Sequence, residues 1–374
     1  FGLSEEDEIA FWESDYPRTD SPLLDTARER GRLLAFPSGE LESLQDWMKK
    51  EALDEAAENE ALNTNRQLLL AVPLLIKNDN FGVLLVQEAP GGLRFRSRRL
   101  DIINGIAQQA ALAIQNDRLQ DEMVLRERLE TEVELARQIQ RTFIPETLPL
   151  LSGWDLAARW LTARQVGGDF YDVMELPDGR IGLFIADVAD KGIPAALFMA
   201  LTRTLVRASV IGTESPAEAL RRVNDLLIPD TEQGMFVTAV YAMLYPESGE
   251  LVYANAGHNP PLWLTADSKI ERLTRTGMAL GVIEGTSMED RRIQLKPGDG
   301  MLLYTDGLSE AFSSGGDFFG EERIIAALQA AGDKSAERIL QRIQVDLDKF
   351  VGAEAQSDDL TMLLLKRDKK KLKE

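Results

Sequence analysis

Aspartates recur where apolar runs begin or end. RIGLFIAD closes at Asp187, GMLLYTD closes at Asp306, and DDLTMLLLK opens at Asp358-Asp359. VGGDFYDV adds Asp169 and Asp172. In antiparallel neighbours the end of one strand lies beside the start of the next, so these acids can gather at one edge of a sheet. Clustered carboxylates repel and raise one another's pKa until a cation neutralises them. An oxygen-only donor set suits Mg²⁺ or Mn²⁺. Taken singly, each acid has a plainer reading. Asp178-Gly179 lies between two strand-like runs and is assigned to a hairpin turn with no chemistry. Asp306-Gly307 alone fits a turn as well as a ligand, Gly167-Gly168-Asp169 a tight loop, and Asp358-Asp359 a polar strand start.

The elements that must position these acids follow from periodicity. Strands are expected over WDLAARWL, GDFYDVMEL, RIGLFIADV, FVTAVYAMLY, ELVYANAG, PLWLT, RIQL, GMLLYTD and LTMLLLK. Helices are expected at 194–211, 216–228, 321–331 and 335–350, with Ser215-Pro216 and Gly320-Glu321-Glu322 as start signals. Many strands joined by hairpin turns favour antiparallel sheets flanked by helices over a doubly wound parallel sheet.

Upstream, LLLAVPLLIKNDNFGVLLVQE is expected as two strands joined at Lys77-Asn78-Asp79-Asn80. The acidic stretch ELESLQDWMKKEALDEAAENEAL is expected to be helical. In DIINGIAQQAALAIQNDRL, residues Ile102, Ile103, Ile106, Ala110 and Ala113 make a helical stripe. The helix continues through 118–144, where Leu125, Leu129, Val133, Ala136, Ile139 and Phe143 recur every three or four residues until Pro145 and Pro149 end it. Such a segment is either a solvated connector or a two-stranded coiled coil that dimerises the protein.

Composition removes whole classes of function. The chain has 374 residues, 62 acidic and 42 basic side chains and a net charge of −20. That charge argues against nucleic acid and anionic membranes as partners. With no cysteine there is no disulfide, thiolate metal site or cysteine nucleophile, which fits a cytoplasmic location. One histidine excludes His-rich zinc sites. The chain begins at Phe1 without Met, as a fragment of a longer protein would.

Five segments now carry a family resemblance. QVGGDFYDV, ADVADKGIPAALFMA, NAGHNPPLW, LLYTDGLSEA and SDDLTMLLLK occur in the order and approximate spacing of the PPM (type 2C) metal-dependent Ser/Thr protein phosphatases. More narrowly they resemble the SpoIIE/RsbU branch, bacterial phosphatases that act on phosphorylated anti-sigma-factor antagonists. Residues 1–117, with two strands, a basic turn and a long helix, resemble a GAF sensory domain by pattern alone. The expected organisation is a GAF-like domain at 1–117, a helical linker at 118–149, a phosphatase domain at 150–367 and a basic tail at 368–374. The resemblance implies an α+β fold, an α-β-β-α sandwich of antiparallel sheets.

It further implies a site for two Mn²⁺ or Mg²⁺ ions. Asp187 would bridge both, the backbone carbonyl of Val188 would assist, and Asp306 and Asp358 would complete the shell of the second metal. Asp169 is the first choice for the acid supplied by GGDFYD, with Asp172 the alternative. Asp169, Asp187 and Asp306 are the expected catalytic set. Two ions roughly 3.5–4 Å apart lower the pKa of a shared water towards neutrality, for in-line attack on phosphorus without a protein nucleophile. The implied partner is a phosphorylated STAS-domain antagonist, with homodimerisation through the linker and control by the sensor. Lys191, His258 and Asn259 are candidate substrate contacts. His258 is equally readable as a general acid or as a structural group in a turn, and Lys191 as a phosphate ligand or a loop cap. One departure stands out: Asp190 replaces a glycine expected to favour positive φ, beside the metals. A non-catalytic reading, a pseudophosphatase that binds a regulatory partner, differs in predicting poor metal binding or no turnover.

Overall fold

Hairpin turns between apolar runs set the topology from residue 154 onward. The computed structural model describes residues 26, 27, 29, 30, 34–37, 56, 68–77, 79–88, 96–230, 234–330, 332 and 334–369. The chain divides into two units, Phe1–Leu129 and Glu130–Glu374. No helix among the described residues is long and apolar enough to cross a membrane.

In the first unit, β1 (Leu34–Pro37), β2 (Leu68–Ile76) and β3 (Asp79–Glu88) form an antiparallel sheet in that order. The β2–β3 turn falls where expected, with Lys77 at φ 54°. Helix α1 runs unbroken from Arg96 to Phe143, so no boundary interrupts it at residue 118. Its buried face keeps Ile103 and Ala110 of the expected stripe but is centred on two other residues. Ala107 and Ala111 pack on Leu70, Val72 and Leu74, whereas Ile102 and Ile106 are exposed. Small alanines let the sheet approach the helix axis, and that contact decides the phase. The acidic stretch at 40–62 lies outside the described residues apart from residue 56.

The second unit is a four-layer α-β-β-α sandwich. One sheet has the order β10-β9-β12-β13-β4 and the other β11-β8-β7-β6-β5. Their strands are β4 (Trp154–Leu161), β5 (Phe170–Glu175), β6 (Ile181–Val188), β7 (Val237–Tyr245), β8 (Glu250–Ala256), β9 (Leu262–Leu264), β10 (Ile270–Arg272), β11 (Arg291–Gln294), β12 (Gly300–Tyr304) and β13 (Leu360–Arg367). Every pairing between these strands is antiparallel. Helices are α2 (Ile193–Ser209), α3 (Pro216–Leu227), α4 (Asp306–Ser309), α5 (Gly320–Gln329) and α6 (Ala336–Val351). Ser215 caps α3 by accepting a hydrogen bond from the Glu218 N–H at 3.0 Å, and Pro216 opens the helix.

Strand alternation builds two cores from one sheet. Leu363 and Leu365 of β13 face the other sheet, and Met362 and Leu364 face Ile339, Leu340 and Ile343 of α6. Two elements were not expected: β10, whose residues are mostly exposed and carry no apolar alternation, and the one-turn helix α4.

The same alternation corrects one expected ligand. Asp169 and Asp172 are three apart along an extended segment and therefore point to opposite faces. Asp172 lies under α2, buried, with Arg207 donating to it at 2.6 and 2.8 Å and Arg203 3.2 Å away. It is the buried anion of an ion-pair network, not a metal ligand. Arg203 also stacks over the Phe143 ring at the end of α1, 5.9 Å from its centroid.

Removing one member of such a pair leaves the partner charge uncompensated. Asp172→Asn is expected to lower unfolding free energy by ~2–3 kcal/mol with no change in Mn²⁺ affinity. Urea denaturation and calorimetric titration check the two halves of that statement.

Candidate metal centre

Four strand ends converge where the two sheets meet. Asp187 lies at the end of β6, paired with Thr238 of β7. Asp169 immediately precedes β5 and is buried; Thr361 of β13 donates to its Oδ2 at 3.0 Å. Asp306 is the first residue of α4, directly after β12. Thr305 and Thr361 lock the two adjoining strand ends: the Thr361 N–H donates to Thr305 Oγ1 at 2.9 Å, and the Thr305 N–H to the Thr361 carbonyl at 3.1 Å. Asp358 and Asp359 precede β13. The acids singled out from opposite ends of the sequence thus share one edge, except Asp172.

Asp359 has a role that motif reading missed. Its carboxylate accepts backbone N–H bonds from Ala163 at 2.8 Å and Gly168 at 2.7 Å, with Asp169 at 3.4 Å. It therefore ties the GGD loop to β13 and presents Asp169 to Asp187. The adjoining glycines are explained by this close approach. A Cβ at Gly167 would overlap the Asp359 carboxylate, and one at Gly307 would overlap the Asp359 carbonyl oxygen. Asp306-Gly307 thus opens α4 beside a tight backbone crossing and is not a hairpin turn.

Gln140 was missed as well. It is buried near the end of α1, donates from Nε2 to the Gly167 carbonyl at 2.6 Å and accepts the Gly167 N–H at 3.1 Å. A signal existed: Gln140 is the polar residue on the same stripe as Ala136 and Phe143. Trp160 completes the support by donating to the Asp169 carbonyl at 2.8 Å.

Electrostatics marks the cluster as unfinished without a cation. Burial, then the charges of Asp187 and Asp359, push the Asp169 carboxyl well above the usual range. Asp187 rises to about 7, through burial and then the charge of Asp306, with Asp358 and Asp359 adding to it. Asp306 and Asp359 are also raised, burial again being the main cause. Lys191 is the nearest positive charge. Its ammonium lies 2.8 Å from Asp358 Oδ2 and donates to the Ser357 carbonyl at 3.1 Å, and this pairing raises its own pKa. Among the described residues no group of three or more His, Cys, Asp or Glu side chains is spaced to hold a metal ion as it stands; the acids share an edge without closing on one point. Hard oxygen donors whose ionisation is suppressed by burial first and by neighbouring carboxylates second have the chemistry a divalent cation favours.

His258 is corrected from a substrate contact to a structural group. It is 2% exposed, its Nδ1 is 2.7 Å from Thr238 Oγ1, and its N–H donates to Asn255 at 2.8 Å. Burial lowers its pKa to about 4, so the ring is neutral at pH 7. It braces the strand opposite Asp187. Asn259 is partly exposed on the loop beside it. At Asp190 the expected left-handed backbone is absent; positive φ falls instead on Gly192, at 83°. The Asp190 N–H donates to the Val188 carbonyl at 2.7 Å, so that oxygen faces the cluster with one lone pair engaged.

Two antiparallel sheets between helical layers are the fold of the PP2C phosphatase domains. The SiaA-PP2C domain of Pseudomonas aeruginosa matches with a TM-score of 0.59 and 22% identity, over 65% of this chain and 99% of that one. Residues 177–368 match the family described as Stage II sporulation protein E (SpoIIE), and the chain belongs to that family. Among its relatives, protein IcfG of Synechocystis sp. is 33% identical over 267 residues, 63% of this chain and 42% of the relative. Phosphoserine phosphatase RsbU of Bacillus subtilis is 26% identical over 244 residues, 65% of this chain and 72% of the relative.

Two expectations follow from the geometry. Unfolding returns His258 from about 4 to its ordinary 6.5, so between those values the unfolded chain binds the extra proton. His258 thus makes stability fall as pH drops through that window, by up to ~1.4 kcal/mol per unit. Asp187 acts oppositely: its folded carboxyl keeps a proton from 3.8 up to about 7, which favours the fold at low pH and is lost as pH rises. The single histidine resonance in NMR isolates the first effect and should titrate near 4; a midpoint near 6.5 would mean an accessible ring. Separately, Gly307→Ala should displace Asp359 and cost ~2 kcal/mol or more in urea denaturation.

Proposed function

We propose that the chain is a divalent-metal-dependent protein serine/threonine phosphatase acting on a phosphorylated regulatory protein of the anti-sigma-factor-antagonist type. The observation that carries this reading is the convergence of Asp169, Asp187, Asp306 and Asp358 at one sheet edge, where burial raises the carboxyl pKa of the first three. Membership of the SpoIIE family and a relative named as a phosphoserine phosphatase support it.

Asp169, Asp187, Asp306 and Asp358, with the Val188 carbonyl, would hold two Mn²⁺ or Mg²⁺ ions. Bound there, such ions supply Lewis-acid stabilisation of phosphoryl oxygens and activation of water. The chain's own groups do the rest. Asp359 and Gln140 hold the GGD loop so that Asp169 stays opposite Asp187. Lys191, half-exposed at the rim, is the ammonium available to a substrate phosphate. Neutral His258 supports Thr238 and transfers no proton at pH 7. The absence of cysteine leaves no thiolate for a covalent phosphoenzyme.

Regulation fits the same reading. A GAF-like sensor in residues 1–117 would act through the linker at 118–149. The Gln140–Gly167 bonds, at the end of α1, give a contact through which a shift of that helix reaches Asp169. Leu125, Leu129 and Ile139 are more than half exposed along α1, and that apolar stripe supports a homodimer through the linker.

Phosphoserine peptide and purified chain provide the test. Phosphate release should require Mn²⁺ or Mg²⁺ and stop in excess chelator, and Asp187→Asn should lower kcat/KM by about 10³-fold. Undiminished hydrolysis in chelator would overturn the reading.

A further inference from the structure

A cavity of about 230 Å³ opens beside the acidic edge. Its lining includes Gly307 and Ser357, the immediate chain neighbours of Asp306 and Asp358. We propose that it is a specificity pocket for the cationic side chain of a Lys or Arg that flanks the phosphorylated residue of the substrate protein. This rests on the phosphatase reading above and names what that site selects.

The chemistry of the walls selects the occupant. Phe312 forms one side, 44% exposed, and stacks on Phe318 with ring centroids 4.7 Å apart. An exposed aromatic face is a surface for a methylene stem and for a cation above the ring. Asp348 and Glu354 also line the cavity, both exposed. The ion pair on α6 joins Arg342 to Asp346 at 2.6 Å, and no cation is paired with Asp348 or Glu354 among the described residues. Gln344 donates from Nε2 to Asp348 at 2.8 Å, which turns its Oε1 away from that bond; this oxygen is buried and has no donor.

Other occupants fit poorly. An anionic group would meet two carboxylates, and a wholly apolar one would desolvate them and leave the Gln344 oxygen unpaired. A Lys or Arg satisfies the aromatic and the acidic wall together: its stem covers the Phe312 ring, and its head meets the carboxylates. Because the cavity is one residue removed from both Asp306 and Asp358, a substrate whose phosphate lies on the acidic edge would place a flanking side chain there. The phosphate and its basic neighbour are thereby read by adjacent, oppositely selective sites.

The test compares three substrates in Mn²⁺. They are p-nitrophenyl phosphate and two sets of phosphoserine peptides, with a single Lys or an isosteric norleucine scanned through the flanking positions. At one or two positions Lys should raise kcat/KM about tenfold over norleucine, the worth of ~1.4 kcal/mol. The double variant Asp348→Asn, Glu354→Gln should erase that preference while p-nitrophenyl phosphate turnover stays unchanged, which also reports an intact fold. Equal kcat/KM for Lys and norleucine peptides at every position, with p-nitrophenyl phosphate still hydrolysed, overturns the pocket alone. A Lys preference that survives the double variant does the same. Failure to hydrolyse any of the three overturns the phosphatase reading and the pocket with it.

Discussion

Mutual repulsion between carboxylates, crowded where two sheets meet, is the constraint around which the second unit is organised. Burial of a carboxylate costs several kcal/mol, and each added neighbour of like charge raises that cost. The fold meets this with fixed donors. Thr361 donates to Asp169, backbone N–H groups donate to Asp359, and Lys191 lies on Asp358. Hydrogen bonds to charged groups contribute ~1.5–3 kcal/mol each. These donors are enough to hold the acids in place without neutralising them, since Asp187 and Asp169 still keep raised pKa values. That residual strain is what a divalent cation bound there would relieve.

Chemically identical residues take different roles here because of where the backbone aims them. Asp169 and Asp172 differ by three positions on an extended segment, so one faces the opposing sheet and the other faces Arg203 and Arg207 on α2. Asp358 and Asp359 are adjacent and divide the work: one stays partly exposed at the rim, and the other turns inward to bind the GGD loop. His258, though it lies in a Gly- and Pro-flanked loop that looked like a site edge, is buried and loses its basicity through desolvation.

The rim has a second character. Towards Lys191 it offers a positive charge; towards Asp348 and Glu354 it is acidic with an aromatic wall. In the proposed reading, a surface so divided would favour a zwitterionic patch over a phosphate alone.

Much of this was legible from residue order. β4 coincides with its expected run, Trp154–Leu161, and α3 and α6 fall within a residue of expectation at each end, because alternation and caps are local signals. The acidic edge was legible too, since each aspartate closes or opens an apolar run. The central place of Ala107 and Ala111 on α1, the face taken by Asp172, the inward turn of Asp359 and the Gln140–Gly167 contact were not. Each depends on which distant segment packs against the residue: Gln140 is 27 positions from Gly167, and Asp359 is 191 from Gly168. Short-range pattern therefore determined the elements and the donor chemistry. Only long-range packing decided which acids share one sheet edge, which one pairs with arginine, and which glycines make room for them.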